Sequence, residues 1–308
     1  MLVAVWIVGI LFAAFIVWIL TVIPRARQRK ETYLSFMRRP LAVWTPPKEP
    51  PAKTVTFPDL QDVSWQALSS DVDSEGIKFV DYDAMGQRGV SGQKRYPSDI
   101  AEFAVKRARR FAETGNQKDL LLAARQLTYL ADTAKPVEFS DATGVAWCAE
   151  FDLGYQYGVE APWKSAYLQS FSMCAMLWGH WLTGDHRYLD LYRKGVITLG
   201  RTMDNGGLAY KTSEGGLFFE EVVSSPPHHI LNGHLHTLLN LFHSHEITDD
   251  ELTKQIFELG VQGTVDLIPR FDRYGYSLYS LAPKPGLWNH FNIANPFYHH
   301  AHVGLLRT

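Results

Sequence analysis

Downstream of residue 96 the chain alternates between two hydrophobic patterns, both with helical period. In one, apolar residues return every three or four positions and mark a single stripe. In the other they occupy most faces. A helix is predicted from Ser98, a suitable cap, with Ile100, Phe103, Ala104, Ala108 and Phe111 in register and Gly115 as its stop. A second covers about 117–134, with Leu120, Ala124, Leu127 and Ala131 on one face. A third, about 163–182, contains SAYLQSFSMCAMLWGHWL and is apolar on most sides. A fourth begins near Asp185 with the stripe Leu189, Tyr192, Val196 and Leu199. A fifth, about 227–243, is again broadly apolar. A sixth starts at Thr248, with Glu251 three residues on as a capping box, and carries Leu252, Ile256, Leu259 and Gly263. A seventh opens after Pro296.

Helices apolar on most faces are buried on most faces, whereas single-stripe helices sit outside. The third and fifth therefore belong to an inner ring, the fourth and sixth to an outer one. Inner-to-outer links are short (GNQ, TGD, SHEI), and outer-to-inner links are long (about 135–162, 205–226 and 269–296). The expected fold is mainly α: an incomplete α/α toroid over residues 96–308. Strand-like pieces such as GLAYKTSEGGLFFEE and YGYSLYSL place β-hairpins in the long loops on one face. That face is where a rigid scaffold would carry a site. The seventh helix has no outer partner before Thr308, so a truncated C-terminus is expected. Residues 59–95 read as a small loop and β region.

The N-terminus differs in kind. Leu2 to Ile23 carries no charge and is nearly all apolar, long enough to cross a bilayer. No Lys or Arg precedes it and no clear cleavage site follows, so residues 1–24 read as an uncleaved transmembrane anchor. Arg25, Arg27, Arg29, Lys30, Arg38 and Arg39 come next, and Pro46 to Pro51 is stiff linker chemistry, so 25–58 reads as a basic, Pro-rich juxtamembrane linker. By the positive-inside tendency the C-terminal domain faces the cytoplasm, with a lumenal or periplasmic location left open. The net charge of −2 provides no basic field for nucleic acid. Nine Trp and 14 Tyr would suit stacking on sugars, although composition alone favours a large aromatic core as their explanation. Cys148 and Cys174 lack zinc-type spacing.

Two clusters could carry chemistry. FYHHAH contains His299, His300 and His302, which could chelate a metal, but no H-E-x-x-H or comparable pattern occurs and histidines of the core or rim are the simpler reading. Glu220 and Glu221 end a strand-like run, so only one of them should enter a given cleft. Glu221, Tyr298, and the group Trp163, Lys164 and Tyr167 all fall near the starts of inner helices. Free N–H groups and the helix dipole favour anions there. A cavity so rimmed suits an acidic sugar polymer.

Tyr96-Pro97, APWKSAYLQSFS, FFEEVVSSPPHHILNGH, FDRYGYSLYSL and FYHHAH resemble, in order and spacing, the C-terminal domain of D-glucuronyl C5-epimerases, over roughly 96–308. That family's catalytic domain is an α/α toroid, and its members convert D-glucuronate to L-iduronate within heparosan-type chains. The resemblance implies Glu221, Tyr298 and Tyr279 as catalytic positions, with no metal and no redox cofactor. The candidate substrate contacts are Trp163, Lys164, Tyr167, Gln169, Glu220, Asn232, Lys284, His299 and His302. Val222 stands where the family has a tyrosine. Ala282 stands near the family's arginine, with Lys284 as its substitute. The expected partners are a glucuronate-containing acidic polysaccharide and, through the first helix, a membrane; a homodimer is left open. The competing expectations are a uronate polysaccharide lyase on the same fold and a non-catalytic glycan-binding or assembly protein.

Overall fold

The structure, a computed structural model, describes residues 42–85, 89–282 and 292–308. The expected anchor at 1–24, most of the basic stretch, and Lys284 lie outside the described residues. Among the described residues no helix is long and apolar enough to cross a membrane. Residues Val43–Thr308 form one compact unit, mainly helical with small antiparallel hairpins.

Seven long helices carry it: α1 (Pro97–Thr114), α2 (Gln117–Thr133), α3 (Ala166–Thr183), α4 (His186–Gly200), α5 (Leu231–Thr248), α6 (Glu251–Phe271) and α7 (Pro296–Leu306). Two-residue links join α1 to α2, α3 to α4 and α5 to α6, which forces each pair antiparallel. The odd-numbered helices pack in a row, α1 on α3, α3 on α5, α5 on α7; each even-numbered helix packs behind its partner. Burial follows the sequence pattern. In α3 every residue from Leu168 to Gly179 is buried, whereas α4 buries only a stripe containing Tyr188, Tyr192, Val196 and Leu199.

Several helix ends differ from expectation for local reasons. α3 starts at Ala166 because Trp163–Lys164 is a strand, and Ser165 accepts the Leu168 N–H as cap. α5 starts at Leu231, not Pro227, because His229 holds φ at +50°, a left-handed value that no helix contains. It then runs through Thr248, so the expected Thr248–Glu251 capping box is absent and Asp250 caps α6 through the Thr253 N–H. Tyr96 rather than Ser98 is the N-cap of α1, with Pro97 at the first helical position.

The strands are short: β1 (Val80–Asp81), β2 (Gln93–Lys94), β3 (Lys135–Glu138), β4 (Thr143–Ala146), β5 (Cys148–Ala149), β6 (Trp163–Lys164), β7 (Ala209–Lys211), β8 (Leu217–Phe219), β9 (Asp272–Arg273), β10 (Tyr276–Ser280) and β11 (Asn292–Ile293). They pair antiparallel, with β10 between β9 and β11. Two close fits fix loops to helices. The β7–β8 hairpin lies with its backbone directly on α6: a Cβ on Gly263 would meet the Leu217 carbonyl oxygen at 2.1 Å. The C-terminal end of β10 is tied to the entry of α5 by a bridge between Ile230 and Ser280 and by Leu281 N–H donating to His228 O at 3.2 Å.

Residues 44–55 fall in the segment expected to be a linker. They are docked along α3. Trp178 Nε1–H donates to Trp44 O (2.9 Å), Trp181 Nε1–H to Glu49 O (2.8 Å), and Val55 N–H to Leu182 O (2.9 Å). The Trp44 ring lies 5.3 Å from Phe171, and the Lys106 ammonium 5.3 Å over Trp44. Proline-rich chain has little conformational freedom to lose, so docking it costs less entropy than ordering a flexible segment. Hydrogen–deuterium exchange checks this strap: the Val55 amide is expected to be protected relative to the exposed Lys53 amide, and Trp181→Phe should speed exchange around Glu49.

Candidate active site

Glu220 and Glu221 leave β8 in opposite directions, as neighbours on extended chain must. Glu220 turns inward and is fully buried. Its Oε2 accepts the His229 N–H at 2.9 Å, and its Oε1 meets His229 Nδ1 at 2.5 Å. A residue with a Cβ is strained at φ +50°, and this double grip holds His229 there. Glu220, expected among the substrate contacts, is therefore committed to the turn that aims α5.

Glu221 turns the other way, onto the first turn of α5. No side chain caps this helix from Ile230. The Glu221 carboxylate stands instead beside the Gly233 backbone and the Asn232 side chain. A Cβ at position 233 would lie 2.4 Å from Glu221 Oε2 and 2.5 Å from Glu221 Cβ, so only glycine admits this approach. Burial, and then the adjacent Glu220 charge, disfavour the ionised form; the Gly233 N–H and Asn232 favour it. Burial prevails and lifts the Glu221 carboxyl to about 7. Its Oε2 is sealed from solvent without a hydrogen-bond partner, as is Asn232 Oδ1.

Tyrosines surround this carboxylate. Burial, and next the Glu221 charge, raise the pKa of Tyr96, Tyr279 and Tyr298. Tyr167 is raised by burial first, then by Glu102 and Glu221. The Tyr279 and Tyr298 rings meet edge-on at 4.8 Å. A hydrogen bond from Tyr279 lowers the pKa of Tyr298, against the other influences on it, so Tyr298 ionises more readily than Tyr279. Each inner helix contributes from its start: Tyr96 caps α1, Tyr167 lies in the first turn of α3, Asn232 in that of α5 and Tyr298 in that of α7.

The other expected contacts divide. Tyr167 packs, tilted, at 4.6 Å against Phe171 and at 5.8 Å, edge-on, against His236. His236 and His302 are each lowered to about 4, chiefly by burial, and so are neutral at pH 7. His302 Nδ1 and His299 Nδ1 both converge on the Ser277 hydroxyl, at 2.8 and 3.1 Å, and His299 also accepts the Ser277 N–H. His302 Nε2 is buried without a partner. Lys164 Nζ donates to Gly206 O at 2.6 Å. Two further expected contacts are engaged within the fold. Trp163 is 3% exposed and spends its indole N–H on Phe151 O (2.8 Å), which makes it a wall of the aromatic core. Gln169 is fully buried; it donates to Val145 O and Gly195 O and accepts the Trp147 N–H, so it ties α3 to α4 and the β4–β5 segment. Val222 is buried in the core cluster with Phe151, Trp163 and Ile230. His234 accepts the Phe219 N–H at Nδ1 (2.9 Å), and its Nε2 then donates to Thr264 Oγ1 (2.8 Å).

Three residues join the site without having been expected there. Tyr96 carries the same signal as its partners, an aromatic residue at a helix start. Asp99, in the first turn of α1, is raised to about 6 by burial and Glu102, and acts electrostatically on Tyr96 and Tyr167. Tyr157 shares a hydrogen bond with Tyr279, and nothing local in its long loop announces it.

A carboxyl group with a pKa of about 7 near tyrosine side chains can take up or release a proton at neutral pH. Residues 141–308, which contain Glu221, Tyr279 and Tyr298, match the family model for the D-glucuronyl C5-epimerase C-terminus, and the chain belongs to that family.

Burial of Glu221 has two measurable consequences. A carboxyl at about 7 in the fold and about 4.5 in the unfolded chain leaves stability intact below pH 4.5 and removes it as pH rises through 7. Glu221→Gln is therefore expected to be more stable than the parent protein at pH 8, by roughly 2–3 kcal/mol, and to lose that advantage at pH 5. Denaturant titration of both proteins at each pH checks this, and the buried histidines cancel in the comparison. Gly233→Ala should displace the carboxylate; deuterium uptake at C5 of a uronate substrate is expected to fall on the order of 100-fold.

Proposed function

We propose that the protein inverts C5 of D-glucuronate residues to L-iduronate within a heparosan-like acidic polysaccharide, on a scaffold best read as an incomplete α/α toroid. The observation that carries this is the Glu221 carboxyl at about 7, walled by Tyr96, Tyr167, Tyr279 and Tyr298. The C5–H of a uronate lies next to a carboxyl group. Glu221 as carboxylate takes that proton, and the C–H electron pair moves into the carboxyl group to give an enediolate. Hydroxyl donors of the tyrosines, Asn232, and the N-terminal turns near Glu221 stabilise the developing charge. Tyr298 donates its proton to C5 from the other face, and Tyr279 eases the resulting tyrosinate through the hydrogen bond between them. In the reverse direction the two exchange roles. Glu221 at about 7 is a far stronger base than an exposed carboxylate and is still half ionised at neutral pH.

The test is incubation with heparosan in deuterated water. Deuterium at C5 with intact chains is expected, with a rate that rises with pH through about 7 as Glu221 ionises. Glu221→Gln and Tyr298→Phe should each reduce exchange on the order of 1,000-fold or more. Unsaturated chain ends absorbing in the ultraviolet would show a lyase instead, since elimination begins with the same proton and then expels the C4 oxygen. Exchange retained in both variants would sink the assignment of this pair.

A further inference from the structure

A cavity of about 710 Å³ opens between the start of α1, the end of α2, the start of β3 and the β5 segment. Glu221, Tyr279 and Tyr298 do not line it. Its size is that of a small-ligand site. One aromatic layer separates it from the Glu221 site: Phe151 lines the cavity, and its ring lies 5.6 Å from Tyr96 and 6.2 Å from Trp163.

Aromatic and charged side chains alternate around it. Phe79, Tyr129, Trp147 and Phe151 supply ring surface. The acids are already matched. Asp73 holds Arg95 at 2.7 Å, Asp132 holds Arg187 at 2.6 Å, and Glu150 pairs with Lys135. The Arg95 guanidinium lies 5.4 Å over the Tyr129 ring and also pairs with Glu75. Lys94 is different. It lines the cavity, is half-buried, and has no ion-pair or hydrogen-bond partner for its ammonium group among the described residues. Its backbone is fixed by the pairing of β2 with β1, Lys94 opposite Val80. Three acids and three bases line the cavity, and among the described residues Lys94, on a paired strand, is the one of these bases that no acid engages. The paired ions can hydrogen-bond hydroxyls, and the rings suit the apolar faces of pyranoses.

We propose that this cavity is a second saccharide subsite, which holds an anionic sugar unit of the same chain away from the reacting one, with Lys94 on its carboxylate or sulfate. The proposal rests on the reading of the protein as acting on an acidic polysaccharide. An uncommitted ammonium here adds affinity only when the ligand is long enough to reach it, so its effect belongs to KM rather than kcat.

Equilibrium binding and kinetics on the full chain test this, with heparosan polymer and a heparosan disaccharide as probes. Lys94→Ala is expected to weaken polymer binding about fivefold and Lys94→Glu more, with Lys94→Arg restoring it and the disaccharide affected little. N-sulfated heparosan in parallel distinguishes sulfate from carboxylate as the group held. Unchanged polymer affinity in Lys94→Glu would overturn the subsite. So would an equal loss for the disaccharide, because Lys94 would then act on the reacting sugar. If the parent protein binds heparosan but exchanges no C5 proton, the proposed catalysis fails while the Lys94 comparison still decides the subsite. If it binds no acidic polysaccharide, both fall.

Discussion

The arrangement depends on placing one carboxylate, Glu221, against the exposed N–H groups of a helix start while removing it from water. The two influences oppose each other. A helix N-terminus stabilises an anion by up to about 2 kcal/mol even in favourable buried geometry, whereas desolvation of a buried carboxylate shifts its pKa by as much as several units. Burial exceeds the helix contribution here, and the carboxyl rests at about 7. Without Gly233 the group could not approach the helix; without Glu220 gripping His229 the helix would not be aimed at it. The two adjacent glutamates thus differ, one fixing backbone and one held at a pKa of about 7.

The remainder of the fold serves that placement. Antiparallel helix pairs bring the starts of α1, α3, α5 and α7 near Glu221, and each start contributes a polar or aromatic side chain that acts on it or is acted on by it. The β7–β8 hairpin, seated on glycines of α6, delivers Glu221 from one side. β10, tied to the α5 entry, delivers Tyr279 from the other. The docked strap runs along α3, where Trp44 meets Phe171, and Phe171 in turn packs against Tyr167. The residues so placed, Glu221, Tyr279 and Tyr298 among them, fall within the part of the chain that matches the D-glucuronyl C5-epimerase C-terminal family.

Much of this is legible in the chain because it is periodic. The buried character of α3 and α5 and the single stripe of α4 follow from side-chain spacing, and spacing also separates Glu220 from Glu221; on α6 the expected stripe holds at Ile256 and Gly263 but not at Leu252 and Leu259, which are exposed while Thr253, Gly260 and Leu267 are buried. What is not legible depends on non-local partners. Gln169 reads as a polar residue near a site, but its three partners, Val145, Gly195 and Trp147, come from other elements. The same holds for Trp163, whose indole partner Phe151 is in a preceding loop. Pro46 to Pro51 reads as stiff, extended chain, yet nothing local can tell a free linker from a docked strap. The start of α5 lies later than its apolar pattern suggests because a left-handed histidine is rare and is sustained only by a glutamate nine residues earlier.

The central claim is that burial brings Glu221 near neutrality. Carbon-13 NMR of the labelled side-chain carboxyl, titrated from pH 4 to 9 with Glu221→Gln used to assign the resonance, measures it directly. The account predicts a midpoint near 7. A midpoint near the ordinary glutamate value of about 4.3 would contradict it.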